Sequence, residues 1–137
     1  MAVTILAYNC LRSNLAKGFY ALDTDTIKVG LMTNSHTFNS ATQVAWSDVS
    51  TNEVSGDGYT AGGKALTGLS VSTGPLVAWD ADDVTWTGLT LSTWHGVVYD
   101  TTASNKLIAS INFGGEQAIA AGIFKITWNV SGVMTLA

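Results

Sequence analysis

Alternation of apolar and polar residues constrains this chain more than any other feature. Val84 and Trp86 alternate with threonines, and Leu107 begins a series of apolar residues at every second position that ends at Phe113. A repeat of two residues is the period of a β-strand, whose successive side chains face opposite ways. Short segments of this kind recur from about residue 26 onward, between glycine-, asparagine- and aspartate-containing turns. The pattern predicts an antiparallel β-sandwich or jelly roll of about eight or nine strands.

The individual strands can be placed approximately from these patterns. We expect strands near residues 27–31, 65–72, 76–79, 84–91, 94–99, 106–113, 124–128 and 133–136. Turns are predicted at residues 23–25, 73–75, 80–83, 100–105, 114–116 and 129–132. The segment 46–50 reads either as a short strand or as a turn anchored by Trp46. No internal repeat or linker divides the sequence, so residues 1–137 are expected to form one β-sandwich domain.

The beginning of the chain has a helical period instead. Apolar residues recur there at spacings of three and four, at Ile5, Tyr8, Leu11, Leu15 and Phe19. Thr4 can cap the first turn, and Gly18 can end the helix in a left-handed conformation. The sequence therefore predicts one short helix over about residues 5–17.

Charge is scarce in this sequence, and that limits the possible partners. Only 12% of the 137 residues are charged, against about 25% in an average soluble protein. The net charge is −4, which leaves no basic patch for a nucleic acid. Five Trp, four Tyr and four Phe accompany this low charge. Aromatic enrichment with few charges is typical of surfaces that contact other protein chains.

Membrane and export signals are also lacking. No apolar run approaches the roughly 20 residues of a membrane helix. The opening residues 1–7 have neither a basic region nor an adequate apolar region, so we expect no signal peptide. The single Cys10 cannot form a disulfide within the chain. Synthesis in the cytoplasm follows as the expectation.

Residues that could carry catalysis are few. His36, His95 and Cys10 match no nucleophile motif, and the expected roles are a packed cysteine and a half-exposed strand histidine. Glu53 and Glu116 are the only glutamates, and nothing places them across a cleft as a glycosidase pair. The sequence therefore predicts a protein without enzymatic activity and without a cofactor.

One acidic cluster resembles the start of a calcium loop. Asp80, Asp82 and Asp83 lie close together, but the glycine and the final glutamate of a calcium-binding loop are missing. Aspartates also favour turns by bonding their own backbone, so a β-turn without a metal is preferred. The glycine-rich stretch Gly56 to Gly58 lacks the ending of a phosphate-binding loop and reads as a surface turn.

The tryptophans admit two interpretations. Trp86 and Trp128 are in phase with neighbouring apolar residues and are predicted to lie in the core. Trp79 and Trp94 are placed less clearly. They are either core or subunit-contact residues, or they form a platform on which a sugar ring stacks.

Three stretches of the sequence carry a further signal: residues 22–29, residues 46–63, and residues 79–86 together with the ending 124–129. Taken together with the helix ending in Asn14-Leu15-Ala16-Lys17-Gly18, they resemble a family of small structural proteins of tailed-bacteriophage virions. The resemblance keeps its order over nearly the whole chain. The resemblance implies a virion protein without enzymatic activity.

The resemblance leaves the place in the virion open. The first expectation is a capsid decoration or cement protein on the outer capsid surface, made in the host cytoplasm, that bridges capsid subunits. The alternative is a tail, head-fibre or baseplate component that binds a glycan or receptor. A cell-wall hydrolase is a weaker third reading. The expected partners are the major capsid protein or other virion proteins and further copies of the chain, with a trimer plausible; neither nucleic acid nor membrane is expected.

Four aromatic residues are candidates for contacts between subunits. Phe19, Tyr20, Trp46 and Tyr59 lie outside the clearest strand alternation, so the core does not obviously claim them. We predict that they form the interface, together with the glycine-rich loop 55–63.

Overall fold

Strands dominate the computed structural model, which describes residues 4–129 and 132–136. The strands are β1 (Thr4–Ala7), β2 (Ile27–Met32), β3 (Lys64–Ala65), β4 (Ser70–Val71), β5 (Val77–Asp80), β6 (Val84–Asp100), β7 (Lys106–Ile126) and β8 (Met134–Leu136). One α-helix, α1 (Asn9–Ala16), and two 3-10 turns, Trp46–Asp48 and Ser50–Asn52, complete the regular structure of this part of the chain.

The strands form two antiparallel sheets. The larger has the order β1-β7-β6-β2-β3, and the smaller has the order β4-β5-β8. The predicted fold class, mainly β with one short helix near the beginning, is confirmed. The two sheets are consistent with a sandwich, whereas this strand order does not establish a jelly roll.

Strands β6 and β7 form a long antiparallel ribbon of 17 and 21 residues. The turn predicted at residues 114–116 is wrong, because β7 continues through it. Thr93 pairs with Gln117 and His95 pairs with Asn112, so residues 113–116 form a wide bulge opposite Trp94. Gly114 and Gly115 have positive φ angles that permit this bulge. Two glycines thus mark an irregularity within a strand instead of a chain reversal.

Residues Thr4–Ala7 form a strand and are not part of the helix. β1 pairs with β7, with Thr4 opposite Asn112 and Ala7 opposite Ala109. Thr4 is therefore not a helix cap, and the predicted helix over residues 5–17 shortens to α1. Sheet pairing outweighs the weak local helical pattern of these residues. The predicted end of the helix is correct, since Gly18 has a φ of 75°.

The strand predicted at residues 65–72 divides between the two sheets. β3 joins the larger sheet and β4 joins the smaller one, and Gly68 between them has a φ of 62°. The segment 46–50 adopts the predicted turn anchored by a tryptophan, not a strand. The final predicted turn, residues 129–132, includes positions 130 and 131, which lie outside the described residues.

The larger sheet is covered on both faces. The main core packs between the sheets and includes Trp79, Trp86 and Phe113. A second cluster on the other face consists of Tyr8, Met32, Val49, Val97, Tyr99 and Leu107. Leu107 was expected to share a face with Phe113, but a register shift between Val98 and Tyr99 moves it to this second cluster. The segment after β2 covers that cluster, since Phe38 and Trp46 pack against it.

Candidate functional site

Three of the four predicted interface residues lie around one short segment, Asn105–Leu107, where β7 begins. Lys106 Nζ lies 5.6 Å from the centre of the Phe19 ring. The Trp46 backbone N–H donates to Asn105 O over 2.8 Å. The Tyr20 hydroxyl donates to Leu107 O over 2.6 Å. Residues 19–20 and residue 46, which are distant along the chain, thus lie close to one segment of the fold.

The end of α1 determines which of the two neighbouring aromatic residues is exposed. Gly18 N–H donates to Leu15 O, and Phe19 N–H donates to Asn14 O over 2.9 Å, which is the bond pattern of a Schellman motif. This fixed end leaves the Phe19 side chain 49% exposed while Tyr20 is only 6% exposed. Burial raises the pKa of the Tyr20 hydroxyl. Tyr20 thus belongs to the interior, and Phe19 belongs to the surface.

A turn holds Val44 and Trp46 against residues 105–107, next to Lys106, whose ammonium group lies over the Phe19 ring. The Asp48 carboxylate accepts the backbone N–H groups of Val44 and Ala45 over 2.9 and 3.0 Å, and these bonds lower its pKa. Val44 O accepts Leu107 N–H, and the Val44 side chain is 47% exposed. We name Phe19, Val44, Trp46 and Lys106 the Phe19 surface. It combines exposed apolar area with one positive charge.

Trp46 is only partly available on this surface. Its ring stacks on Tyr99 with the ring centres 4.3 Å apart and the planes 14° from parallel. Gly30 lies under the ring, because a Cβ atom there would come within 2.5 Å of Trp46 Cη2. Trp46 is therefore half-buried, with one face of its ring stacked on Tyr99.

Tyr59, the fourth predicted residue, has a structural role of its own. Its hydroxyl donates to Glu53 Oε2 over 2.6 Å and accepts Leu31 N–H over 3.0 Å. The same Glu53 oxygen accepts Gly62 N–H over 2.7 Å. Burial and the Glu53 carboxylate raise the pKa of Tyr59. These bonds fix the glycine-rich loop 55–63 to β2, and Tyr59 is partly buried away from the Phe19 surface.

A histidine and a serine that sequence reasoning did not connect lie together inside the fold. His36 Nε2 is 3.1 Å from Ser110 Oγ, and the His36 and His95 ring centres are 5.2 Å apart. His36 is 3% exposed and Ser110 is 4% exposed, so a substrate does not reach them in this conformation. Burial, helped by His95, lowers the pKa of His36 to about 4, which makes it a weak base near neutral pH.

Cys10 lies apart from this pair. Its Sγ atom is 3.5 Å from Leu107 O, and burial raises its pKa. A thiol with a raised pKa is mostly protonated at neutral pH and is a poor nucleophile. This is the packed cysteine that the sequence predicts.

The three clustered aspartates point to different partners. Asp80 accepts Ala81 N–H, Asp82 accepts the Thr67 hydroxyl, and Asp83 accepts Trp128 N–H. Asp83 also pairs with Lys125 at 3.5 Å. Among residues 4–129 and 132–136, no three His, Cys, Asp or Glu side chains are grouped as metal ligands. Asp82 and Asp83 thus tie residues 81–83 to neighbouring segments of the chain.

The tryptophans proposed for sugar stacking differ in exposure. Trp79 is fully buried, and its ring N–H donates to Leu22 O over 2.8 Å. Trp94 is partly exposed. Trp86 and Trp128 are buried in the main core, as their alternation predicts. Trp79 is therefore a core residue and offers no stacking face.

The carboxyl group of Asp100, the last residue of β6, is buried, and no pattern in the sequence indicates this. Asp100 is fully buried, and Asp25 faces it from the segment before β2. Oδ1 of Asp100 accepts Ala103 N–H, whereas Oδ2 has no hydrogen-bond partner in the described part of the chain. Burial and the Asp25 carboxyl raise the pKa of Asp100 to about 7.

A shallow groove of about 330 Å³ lies between β1, α1 and β8. Ile5 and Leu11 provide apolar lining, and Arg12 provides the charge. In the portion of the chain that is described, no helix is long and apolar enough to cross a membrane.

The described chain is a two-sheet β protein that exposes Phe19 and Val44 near the start of β7. Comparisons with protein-family models, with curated proteins and with solved structures found no match to this chain.

Proposed function

We propose that this chain is a non-enzymatic structural protein of a bacteriophage virion, which decorates the capsid and stabilises it by bridging capsid subunits. The resemblance in the sequence motivates the virion assignment. The Phe19 surface is the observation that carries the binding role. Its apolar side chains are exposed on a backbone held by hydrogen bonds, so the backbone needs little further ordering when a partner covers them.

The composition of the surface fits a capsid protein as the partner. Phe19 and Val44 are each about half exposed, and Lys106 Nζ above the Phe19 ring adds a charge that can pair with a carboxylate. Exposed aromatic side chains are common anchors at interface centres. Only the assembled shell presents neighbouring subunits together, so binding there stabilises assembly by mass action. At one hundred times the dissociation constant, that stabilisation is about 2.7 kcal/mol.

The glycan-binding alternative loses one of its two candidates. Trp79 is fully buried and bonded to Leu22 O, so Trp94 is the remaining tryptophan for stacking. A screen of glycans against the purified chain, with Trp94→Ala as the comparison, tests this alternative directly. Binding that depends on Trp94 would favour a fibre or tail protein over a capsid protein.

The decisive experiment compares particles that contain and lack this chain. We expect particles without it to release their genome at a lower temperature, and re-addition of the purified chain to restore the original temperature. Phe19→Ala should restore it poorly. Leu76→Ala, which changes a residue that is 56% exposed in another loop, should restore it fully. Equal heat resistance with and without the chain would refute the stabilising role, and density only at the tail in a reconstruction would refute the capsid location.

A further inference from the structure

The second half of β7 has one edge that no described strand occupies. β1 pairs with β7 only from Ala109 to Asn112, and β6 pairs along the opposite edge as far as Ile126. Within residues 4–129 and 132–136, neither a strand nor an isolated bridge pairs with the other edge of residues 116–126. In antiparallel sheets, alternate residues direct their N–H and C=O groups away from the existing partner. This edge therefore offers a row of backbone groups to a further strand.

A bulge in the middle of this segment sets which side chains face outward. Ile119 pairs with Leu91 and Gly122 pairs with Leu89, so Ala120 and Ala121 both lie opposite Thr90. Ala121 has a φ of 48°, as the extra residue of a bulge often does. The alternation therefore shifts by one position at the bulge. The outward residues on its two sides are Glu116, Ala118, Ile123 and Lys125, all of which are exposed.

We propose that two copies of this chain pair antiparallel along this edge, about a two-fold axis that passes between Ala120 and Ala121. In this register Glu116 lies opposite Lys125 of the second copy, and Ala118 lies opposite Ile123 of the second copy. A two-fold axis perpendicular to a sheet keeps each side chain on its own face. Residues 116 and 125 are separated by an odd number of positions, so regular alternation would put them on opposite faces of the sheet. The extra residue of the bulge shifts the alternation by one and puts both on the outer face, and the same holds for residues 118 and 123.

Charge complementarity selects a second copy as the occupant. Glu116 and Lys125 are the only charged residues between positions 116 and 126, and the two-fold axis exchanges their places. At each end of the paired edges, Glu116 of one copy thus faces Lys125 of the other. The residues between these ends are uncharged in both copies. Lys125 Nζ is 3.5 Å from Asp83 of its own chain, so in the pair it would lie between two carboxylates. A symmetric surface of this kind is self-complementary.

The pair also covers the most exposed of the large apolar side chains described. Ile123 is 69% exposed in the single chain, and in this register it lies beside the small Ala118 side chain of the second copy. Directly opposite residues in antiparallel strands have their Cβ atoms about 4.5–5.5 Å apart, close enough for these side chains to touch. This inference does not depend on capsid binding, which involves the separate Phe19 surface.

Analytical ultracentrifugation of the purified full-length chain over a range of concentrations provides the first test. We expect a reversible monomer–dimer equilibrium. Ile123→Lys should weaken dimerisation about tenfold or more, because it removes the apolar contact with Ala118 of the second copy and requires a charged side chain to lose water there. Leu76→Lys makes the same kind of change at another exposed position and should leave dimerisation unchanged. A monomer at all concentrations, or a trimer, would overturn the proposal.

Charge exchange tests the register. Glu116→Lys alone and Lys125→Glu alone should each weaken dimerisation about tenfold, because each creates two pairs of like charge. An equimolar mixture of these two variants should recover association, since each chain then presents the charges that the other lacks. Asp23→Lys, at an exposed position elsewhere, gives the same charge change as Glu116→Lys and should leave dimerisation unchanged. Unfolding temperatures of all variants show whether each monomer remains folded.

Disulfide formation tests the pairing residue by residue. In a Cys10→Ala background, chains with Ala118→Cys and chains with Ile123→Cys should cross-link when mixed with oxidised glutathione, which accepts the two electrons and two protons of the thiols. Neither variant alone should cross-link to itself, because residue 118 lies five positions from its own counterpart in this register. Self-cross-linking of either variant at a comparable rate would contradict the register.

Discussion

Replacement of Asp100 by asparagine should change how stability depends on pH. Asp100 is fully buried, and burial together with the facing Asp25 carboxyl raises its pKa from 3.8 to about 7. Between these two values the folded chain holds a proton on Asp100 and the unfolded chain does not. Unfolding then releases a proton, so this group lowers the free energy of unfolding as pH rises from about 4 to 7.

The size of the effect follows from the two pKa values. They differ by about 3, which corresponds to about 4 kcal/mol, or about 1.4 kcal/mol for each pH unit in the window. His36 acts in the opposite direction, since burial lowers its pKa from 6.5 to about 4. The unfolded state binds the extra proton there, so His36 raises stability as pH rises from about 4 to 6.5. The effects of Asp100 and His36 on the pH dependence of stability therefore largely cancel in the native chain. Only the Asp100→Asn variant shows the effect of Asp100 by itself.

The assay is urea unfolding followed by tryptophan fluorescence at several pH values between about 4 and 8. We expect Asp100→Asn to match the native chain near pH 4 and to exceed its stability by up to about 4 kcal/mol above pH 7. The asparagine can still accept Ala103 N–H and imitates the protonated carboxyl. Asp23→Asn removes an exposed carboxylate outside the proposed dimer edge and should give a curve parallel to that of the native chain. A parallel curve for Asp100→Asn would refute the reasoning.

Three further substitutions test the packing and the surface. Gly30→Ala should destabilise the fold by about 2 kcal/mol or more, because its Cβ atom would meet the Trp46 ring at 2.5 Å; thermal unfolding measures this, and an unchanged midpoint would contradict the contact. Trp79→Phe should cost about 1–3 kcal/mol in urea unfolding, because the buried Leu22 carbonyl loses its donor and the smaller ring leaves space; a loss below about 0.5 kcal/mol would contradict this role. Phe19→Ala should change stability by no more than about 1 kcal/mol, since the side chain is half exposed, while it weakens binding to capsids; strong destabilisation would show that Phe19 belongs to the core.

The local sequence pattern was sufficient to predict burial and backbone conformation where a strand pairs regularly with its neighbours. The alternation of Val84 and Trp86 predicted their burial correctly, and the positive φ of Gly18 was predictable from its place after a helix. It failed where pairing to a distant strand decides the structure. β1 has a helical pattern and is a strand because β7 lies beside it, and Gly114-Gly115 lies within β7 because β6 continues opposite.

The candidate surface was only partly predictable, because contacts between distant segments of the chain also decide which of its residues are exposed. Phe19 and Tyr20 are adjacent aromatic residues, and only the geometry after the helix exposes one and buries the other. His36 lies in a polar segment that reads as exposed, but that segment covers the second face of the larger sheet and buries it. Lys106 carries no signal in the sequence, since its role comes from its place above the Phe19 ring. Such roles depend on contacts between distant segments.

The pairing of Thr4 with Asn112 has a consequence for folding during synthesis. The first strand of the larger sheet finds its partner only after most of the chain has left the ribosome, so sheet closure is a late event with a high contact order. The Phe19 surface has the same dependence, because it requires residues 105–107 to be in place. A chain that stops before residue 105 cannot display it. Under the proposed function, such incomplete chains would not bind the assembled shell, so they would be excluded without any separate proofreading step.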